Sequence, residues 1–281
     1  MLIRGSSMEV VKKISLDELK KIELNILTEI HKICSENNIR YSLAGGTLLG
    51  AVRHGGFIPW DDDIDIFMPR PDYNAFIEYC KKNTTPFKLI CHELTKKYNY
   101  LFAKAVDPST IIKERNGSRT NLELGVFVDI FPIDSLGDTL ENAKKRFNKT
   151  TFKRELLVAY NWKKFFRSKT RSIIYEPLRF AMFLLSRFTN PKKLINKIEK
   201  VYYINDFIGG KYAGAVCGSY RLKEILPIEI YSNYESIIFE GRTFLAIKDK
   251  EKYLSNIYGD YMKLPPVEKQ VTHHTFDAYY K

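Results

Sequence analysis

The segment Trp60-Asp61-Asp62-Asp63-Ile64-Asp65-Ile66-Phe67 places the tightest limit on what this chain can fold into. Four carboxylates fall within five positions and run directly into apolar residues. The alternation after Trp60 predicts a half-buried strand, not a solvated acidic loop or a loop-bound calcium site. On a strand, side chains alternate faces. Asp61, Asp63 and Asp65 then share one face, and Asp62, Ile64 and Ile66 take the other. Stacked carboxylates repel one another, so the arrangement is costly unless a cation bridges them. Asp62 is expected to be dispensable for chemistry.

A second acid stands out downstream. Gly125-Val126-Phe127-Val128-Asp129-Ile130-Phe131-Pro132 reads as a central strand with one carboxylate in its middle. A buried Asp needs a partner or a metal. Asp63 and Asp65, with Asp129 from an adjacent strand, make a hard-oxygen ligand set for Mg²⁺ or Mn²⁺, with Asp61 as an auxiliary. Such a site suits phosphoryl transfer, which is catalysed largely by positioning and charge neutralisation.

Upstream, Ile39–Ala44 reads as a short strand followed by Gly45-Gly46 and a helix that Thr47 caps and Gly55 ends. A strand, two glycines and a helix N-terminus form a candidate phosphate cradle, Gly45, Gly46 and Thr47. Arg53, His54 and Lys104 are the nearest candidates to neutralise phosphate oxygens; each also has an ordinary structural reading.

The rest of the chain reads as scaffold. Leu19, Ile22, Ile26, Leu27, Ile30 and Ile33 predict a helix over 15–38, with Ser15 and Glu18 as a capping box. Ile64–Met68 is a strand ended by Pro69, and Pro71 opens a helix. Strands follow at 87–92, 100–106 and 110–114. A hairpin is expected around Glu240-Gly241-Arg242, then a helix capped by Asp249 and stopped by Gly259. The Tyr- and Pro-rich tail Tyr258–Pro266 reads as a fixed binding loop, and His273 and His274 as inert.

Charge is concentrated. Residues 141–200 hold 17 Lys and Arg against 4 Asp and Glu; the rest of the chain holds 28 against 29. This block is either a solvated helical face or a docking surface for an anionic partner. Within it, Leu178–Phe188 is too short and too charged to span a bilayer, which takes ~20 apolar residues. It is expected to be a buried helix, with an interfacial helix as the alternative. Nucleic acid is not expected as a partner, because the block lacks interleaved Arg and aromatic residues. Cys34, Cys80, Cys91 and Cys217 are scattered, and the opening residues lack an apolar core of signal-peptide length. A cytoplasmic protein with reduced thiols is expected.

The run Ala44–Asp65 resembles the signature of the LicD family, phosphocholine transferases related to fukutin-type phosphopolyol transferases. Val128-Asp129-Ile130-Phe131-Pro132 and Tyr258-Gly259-Asp260-Tyr261-Met262-Lys263-Leu264-Pro265-Pro266 are similar to further blocks of that family. The resemblance implies an α+β, nucleotidyltransferase-like mixed sheet with packed helices. Residues 1–140 would be the catalytic core, 141–205 a basic helical region, and 206–281 a segment completing the core. It implies transfer of phosphocholine, or a related phospho-alcohol, from a CDP-activated donor to a hydroxyl of a glycan precursor. Teichoic acid, lipopolysaccharide and capsule are the classes of acceptor, and CMP leaves. Asp63, Asp65 and Asp129 carry over as metal ligands. The expected setting is the inner face of the cell membrane, on a lipid-linked acceptor, with 141–200 against anionic lipid. A nucleotidyltransferase releasing pyrophosphate is the first alternative reading, and a nucleic-acid-binding protein whose acids are structural is the second.

Overall fold

The computed structural model describes residues 12–281 except 116, 121, 169–171, 203–206, 208 and 273–275. His273 and His274 therefore lie outside the described residues.

Helix α1 (Leu16–Glu36) starts at the expected capping box: Ser15 accepts from the Glu18 backbone, and Glu18 answers from the Ser15 backbone. Its Leu19, Ile26, Leu27, Ile30 and Ile33 are buried. Strand β1 (Ser42–Leu43) is shorter than the 39–44 segment expected. Helix α2 (Gly45–His54) ends at Gly55, whose φ of 72° is the left-handed region that glycine tolerates. Strand β2 (Asp65–Pro69) passes directly into α3 (Arg70–Lys82), with Pro71 in its first turn.

Next come β3 (Lys88–Ile90), β4 (Ala103–Val106), β5 (Thr110–Glu114) and β6 (Phe127–Gly137). The basic stretch forms α4 (Leu140–Lys149), α5 (Thr151–Asn161), α6 (Glu176–Arg187) and α7 (Pro191–Tyr202). The chain closes with β7 (Tyr212–Ala215), β8 (Leu226–Pro227), β9 (Tyr234–Phe239), β10 (Arg242–Ile247), α8 (Lys250–Tyr258) and β11 (Phe276–Tyr280).

The main sheet runs β1-β2-β6-β4-β3, with β7 continuing beside the far half of β6 and β8 beside β7. The β2–β6 pair is parallel; the other pairs are antiparallel. The fold is therefore α+β with a mixed sheet. Strand β6 is its centre, as the apolar run around Asp129 predicts. Its Val128, Ile130, Ile133 and Leu136 are buried. Strands β9 and β10 form the expected hairpin, turning at Glu240 (φ 50°) and Gly241 (φ 70°).

The largest apolar cluster draws on α1, α2, β2, α3, β6, the hairpin and α8. Helices α4, α5, α6 and α7 share a second cluster with Leu136, Val216 and Ile225. One expectation fails here. Most apolar residues of 178–188 are not buried: Leu178, Phe180, Leu184, Leu185 and Phe188 face outward, and Met182 alone of the run joins the core. Composition located the helix, but tertiary packing turned Arg179 and Ser186 inward together with Met182.

A buried fork ties the end of β2 to β6. Arg70 Nε and Nη2 donate to the two carboxylate oxygens of Asp134 at 2.7 and 2.8 Å. Removing one partner leaves an uncompensated buried charge. Asp134→Ala is expected to lose about 3–5 kcal/mol in urea unfolding, whereas replacing both partners by apolar residues of similar volume should recover most of it.

Candidate active site

The site is built at the head of β2. Parallel register pairs Asp65 with Asp129 on β6, and antiparallel register pairs Asp129 with Lys104 on β4. Three neighbouring strands thus carry acid, acid and base in one transverse row on one face. Lys104 Nζ donates to Asp129 Oδ1 at 2.5 Å and lies 3.3 Å from the Phe127 ring centroid. Asp65 is squeezed electrostatically. Burial, then Asp63 and Asp129, push its carboxyl well above the usual range; Lys104 opposes them and Asp61 adds to them.

The half-buried strand expected over Trp60–Phe67 begins only at Asp65. The reason is pairing. Strand β1 reaches no further along β2 than Ile66 and Phe67, so 61–64 has no ladder partner on that side. The alternation persists nonetheless. Asp61, Asp63 and Asp65 are half-buried, while Asp62 and Ile64 are buried. Ile64 still accepts a hydrogen bond from the Asp129 N–H at 3.0 Å.

The glycine pair lies against these acids. A Cβ on Gly45, whose φ is +48°, would sit 3.6 Å from Asp65 Oδ2, and one on Gly46 would sit 2.7 Å from Asp61 Oδ2. The positive end of α2 therefore faces two carboxylates, which stabilises them. Thr47 does not cap the helix. The helix starts two residues earlier, after Ala44, which places Thr47 within its first turn. Its hydroxyl instead accepts from the Asp65 N–H at 2.8 Å, while Asp65 O accepts from the Ala44 N–H at 2.9 Å. Strand head and helix start are thereby stapled together.

Arg53 and His54 sit in the last turn of α2, roughly 10 Å of helix rise from Gly46. Arg53 donates to Tyr261 O at 2.8 Å in the tail and to His54 Nε2 at 3.0 Å. Burial, then Arg53, hold the His54 pKa below its usual value. The structure does not bring this pair to the acid row; it fixes the tail.

Several residues at the site carried no local motif. Glu23 of α1 is buried, and burial followed by Asp63 and Asp62 pushes its carboxyl well above the usual range. The signal for it was a carboxylate on an apolar stripe, four residues after Leu19 and three before Ile26. Tyr253 arrives from α8, which ends at Tyr258, the first residue of the tail read from the sequence. The Tyr253 hydroxyl accepts from the Gly45 N–H at 3.4 Å, and Tyr220 donates to the Tyr258 hydroxyl at 2.6 Å. Gly45, Asp65, Tyr220, Glu224 and Tyr253 line one small cavity. Gly218, Ser219 and Tyr220 also line a neighbouring cavity of about 560 Å³, whose walls include Asn99, Tyr100, Phe102, Arg154 and Asn161.

The acids offer the donor type that a hard divalent cation takes. Their donor atoms are carboxylate oxygens, and their mutual repulsion at Asp65 is the kind of charge that Mg²⁺ or Mn²⁺ offsets. Among the described residues, the trio whose ligand atoms all lie within 4.8 Å of one another is elsewhere: His92, Glu93 and Glu199. Glu199 shares a narrow cavity with Arg70 and Asp134, beyond the opposite end of β2.

An α+β chain with an acid row at the head of a parallel strand pair, under a glycine-started helix, defines the class. The family described as LicD/FKTN/FKRP, nucleotidyltransferase domain, matches residues 38–173. The lipopolysaccharide cholinephosphotransferase LicD of Haemophilus influenzae is 32% identical over 274 residues, covering 96% of this chain and 99% of that protein. The chain belongs to the LicD family. Shorter matches include an uncharacterised Rickettsia prowazekii protein, 45% identical over 65 residues, or 23% of this chain and 24% of that one. Human ribitol 5-phosphate transferase FKRP is 64% identical over 28 residues, 10% of this chain and 6% of its own length.

Glu224 gives a pH test of the site. Burial pushes its carboxyl up to about 8, against the opposing Tyr220 N–H at 3.0 Å. Between 4.5 and about 8 the native state holds a proton that the unfolded state has released. Stability contributed by this group therefore falls as pH rises through that window. Glu224→Gln should gain stability relative to the wild type as pH rises across it, measured by urea unfolding at each pH.

Proposed function

We propose that this chain transfers phosphocholine, or a related phospho-alcohol, from a CDP-activated donor to a hydroxyl of a cell-surface glycan precursor. The observation that carries the reading is the Asp65–Asp129–Lys104 row beneath the start of α2. End-to-end similarity to a lipopolysaccharide cholinephosphotransferase supports the substrate class.

In this reading the acceptor hydroxyl oxygen attacks the phosphorus bearing choline. The bond from that phosphorus to the bridging oxygen breaks, CMP leaves, and the hydroxyl proton passes to a base. Asp63, Asp65 and Asp129, with Asp61, would hold Mg²⁺ or Mn²⁺, which when bound neutralises phosphate charge and polarises phosphorus. Lys104 adds a fixed positive charge to the row. Thr47 keeps Asp65 in place, so little reorganisation is needed at the moment of reaction. Tyr100, Phe102 and Tyr220 give the neighbouring cavity aromatic walls, which suit both a stacked base and a quaternary ammonium group. The nucleotidyltransferase-like reading of the fold rests on the same row.

Purified protein given CDP-choline, Mg²⁺ and an acceptor glycan should release CMP. Asp65→Asn and Asp129→Asn should each cut turnover by about 10²–10³-fold. Asp62→Asn should leave it near wild type. Chelation with EDTA should abolish release, and Mn²⁺ should restore it. No CMP from any CDP-activated phospho-alcohol would sink the reading, and pyrophosphate in its place would identify a nucleotidyltransferase.

A further inference from the structure

Helix α6 is inside out. Its inward positions are Arg179 and Ser186, at 8% and 0% exposure, with Met182 between them. Outward stand Leu178 at 63% and Phe188 at 92%, and Ile174 at 81% in the single helical turn Ile173–Tyr175 just before. Phe180, Leu184 and Leu185 join them. So many large apolar side chains turned to solvent along one helix and the turn before it mark an interaction surface.

The orientation is fixed by specific contacts. Arg179 donates to Glu176 at 2.7 and 2.8 Å and to Phe166 O at 3.2 Å, and its guanidinium lies 4.9 Å from the Trp162 ring centroid. Arg187 donates to Ala159 O and Trp162 O at 2.8 and 2.9 Å, closing the end of α5. Rotating the helix to bury its leucines would break all of these. The polar side is anchored, and the apolar side is left for something else.

We propose that the Ile173–Tyr175 turn and α6 form a platform that lies flat in the interface of an anionic lipid membrane. Charge selects this occupant. From 156 to 198 the sequence has ten Lys and Arg and one acid, Glu176, which Arg179 already holds. Lys163, Lys164 and Arg167 are exposed on the strap beside α6, where Phe165 packs on Phe180 and Phe183. Lys192 and Lys193 are exposed just past its end. A second copy meeting this face would bring like charges together. Anionic headgroups complement them while acyl chains take the apolar side chains. Spanning is not the mode, because no helix among the described residues is long and apolar enough to cross a membrane. Helix α5 separates the platform from the 560 Å³ cavity, which Arg154, Leu157, Val158 and Asn161 of that helix line. A membrane-borne acceptor would thus be held one helix away from the cavity beside the acid row. The docking itself is independent of the donor chemistry.

The test is flotation of the full chain with equimolar phosphatidylglycerol–phosphatidylcholine vesicles and with phosphatidylcholine alone. The wild type should float with the anionic vesicles and far less with the neutral ones. The Leu178→Glu, Leu185→Glu, Phe188→Glu triple variant should lose about tenfold or more in partitioning with an unchanged circular dichroism spectrum. Lys163→Glu, Lys164→Glu should weaken binding to anionic vesicles specifically. These substitutions touch no residue of the acid row, so CMP release from soluble substrates reports separately on the transferase reading. A wild type that stays with the pellet overturns the proposal, as does a triple variant that floats equally well. A dimer in light scattering that the triple variant dissolves, without vesicle binding, would assign the face to a second copy.

Discussion

Two carboxylates held side by side by strand register are the constraint from which the rest of this architecture follows. Asp65 and Asp129 are paired across the parallel β2–β6 ladder, so neither can withdraw without breaking that pairing. Like charges at that spacing destabilise the fold unless positive charge is brought to them. Two local sources are built in: the Lys104 ammonium on the next strand and the positive end of α2 above. Both leave Asp65 well above its usual range, and that residue of repulsion is what a divalent cation would relieve.

Distant parts of the chain converge to hold this arrangement. Thr47 fixes the head of β2 from the helix above it. Tyr253 and Tyr258 return from the far end of the sequence to the glycine pair, and Arg53 grips the tail that follows them. Glu23 lies buried beside the acids, and burial, then Asp63 and Asp62, push its carboxyl above its usual range. At the other end of the strands, the Arg70–Asp134 fork locks β2 to β6, keeping the row in register.

What the sequence disclosed was whatever is written locally. The Ser15/Glu18 box, Gly55 at a left-handed position, Pro69 and Pro71 at a strand–helix junction, and Glu240-Gly241 at a hairpin are short-range signals, and each appears where expected. Asp129 stood out because an acid inside an apolar strand is expensive. Where strand pairing decides, the local signal fell short: β2 begins at Asp65 because its neighbour gives 61–64 nothing to pair with. Thr47 looked like a cap because its helix starts two residues before it. Helix α6 was misjudged in burial because composition does not say which side of a helix its neighbours will claim. Tyr253 reaches Gly45 across 208 positions, and Tyr220 and Glu224 meet Gly45 and Asp65 only as walls of one cavity; such long-range meetings leave no periodic trace.

The most direct test is a carboxyl-carbon NMR titration of Asp65, with and without Mg²⁺. Asp65 should titrate above the ordinary aspartate range in metal-free protein, and its midpoint should drop when Mg²⁺ is added. Replacing Asp129 with Asn should lower the metal-free midpoint and blunt the response to Mg²⁺. An Asp65 that titrates at its ordinary value and ignores the ion would contradict the claim that Lys104 and the start of α2 offset the repulsion at Asp65 only in part.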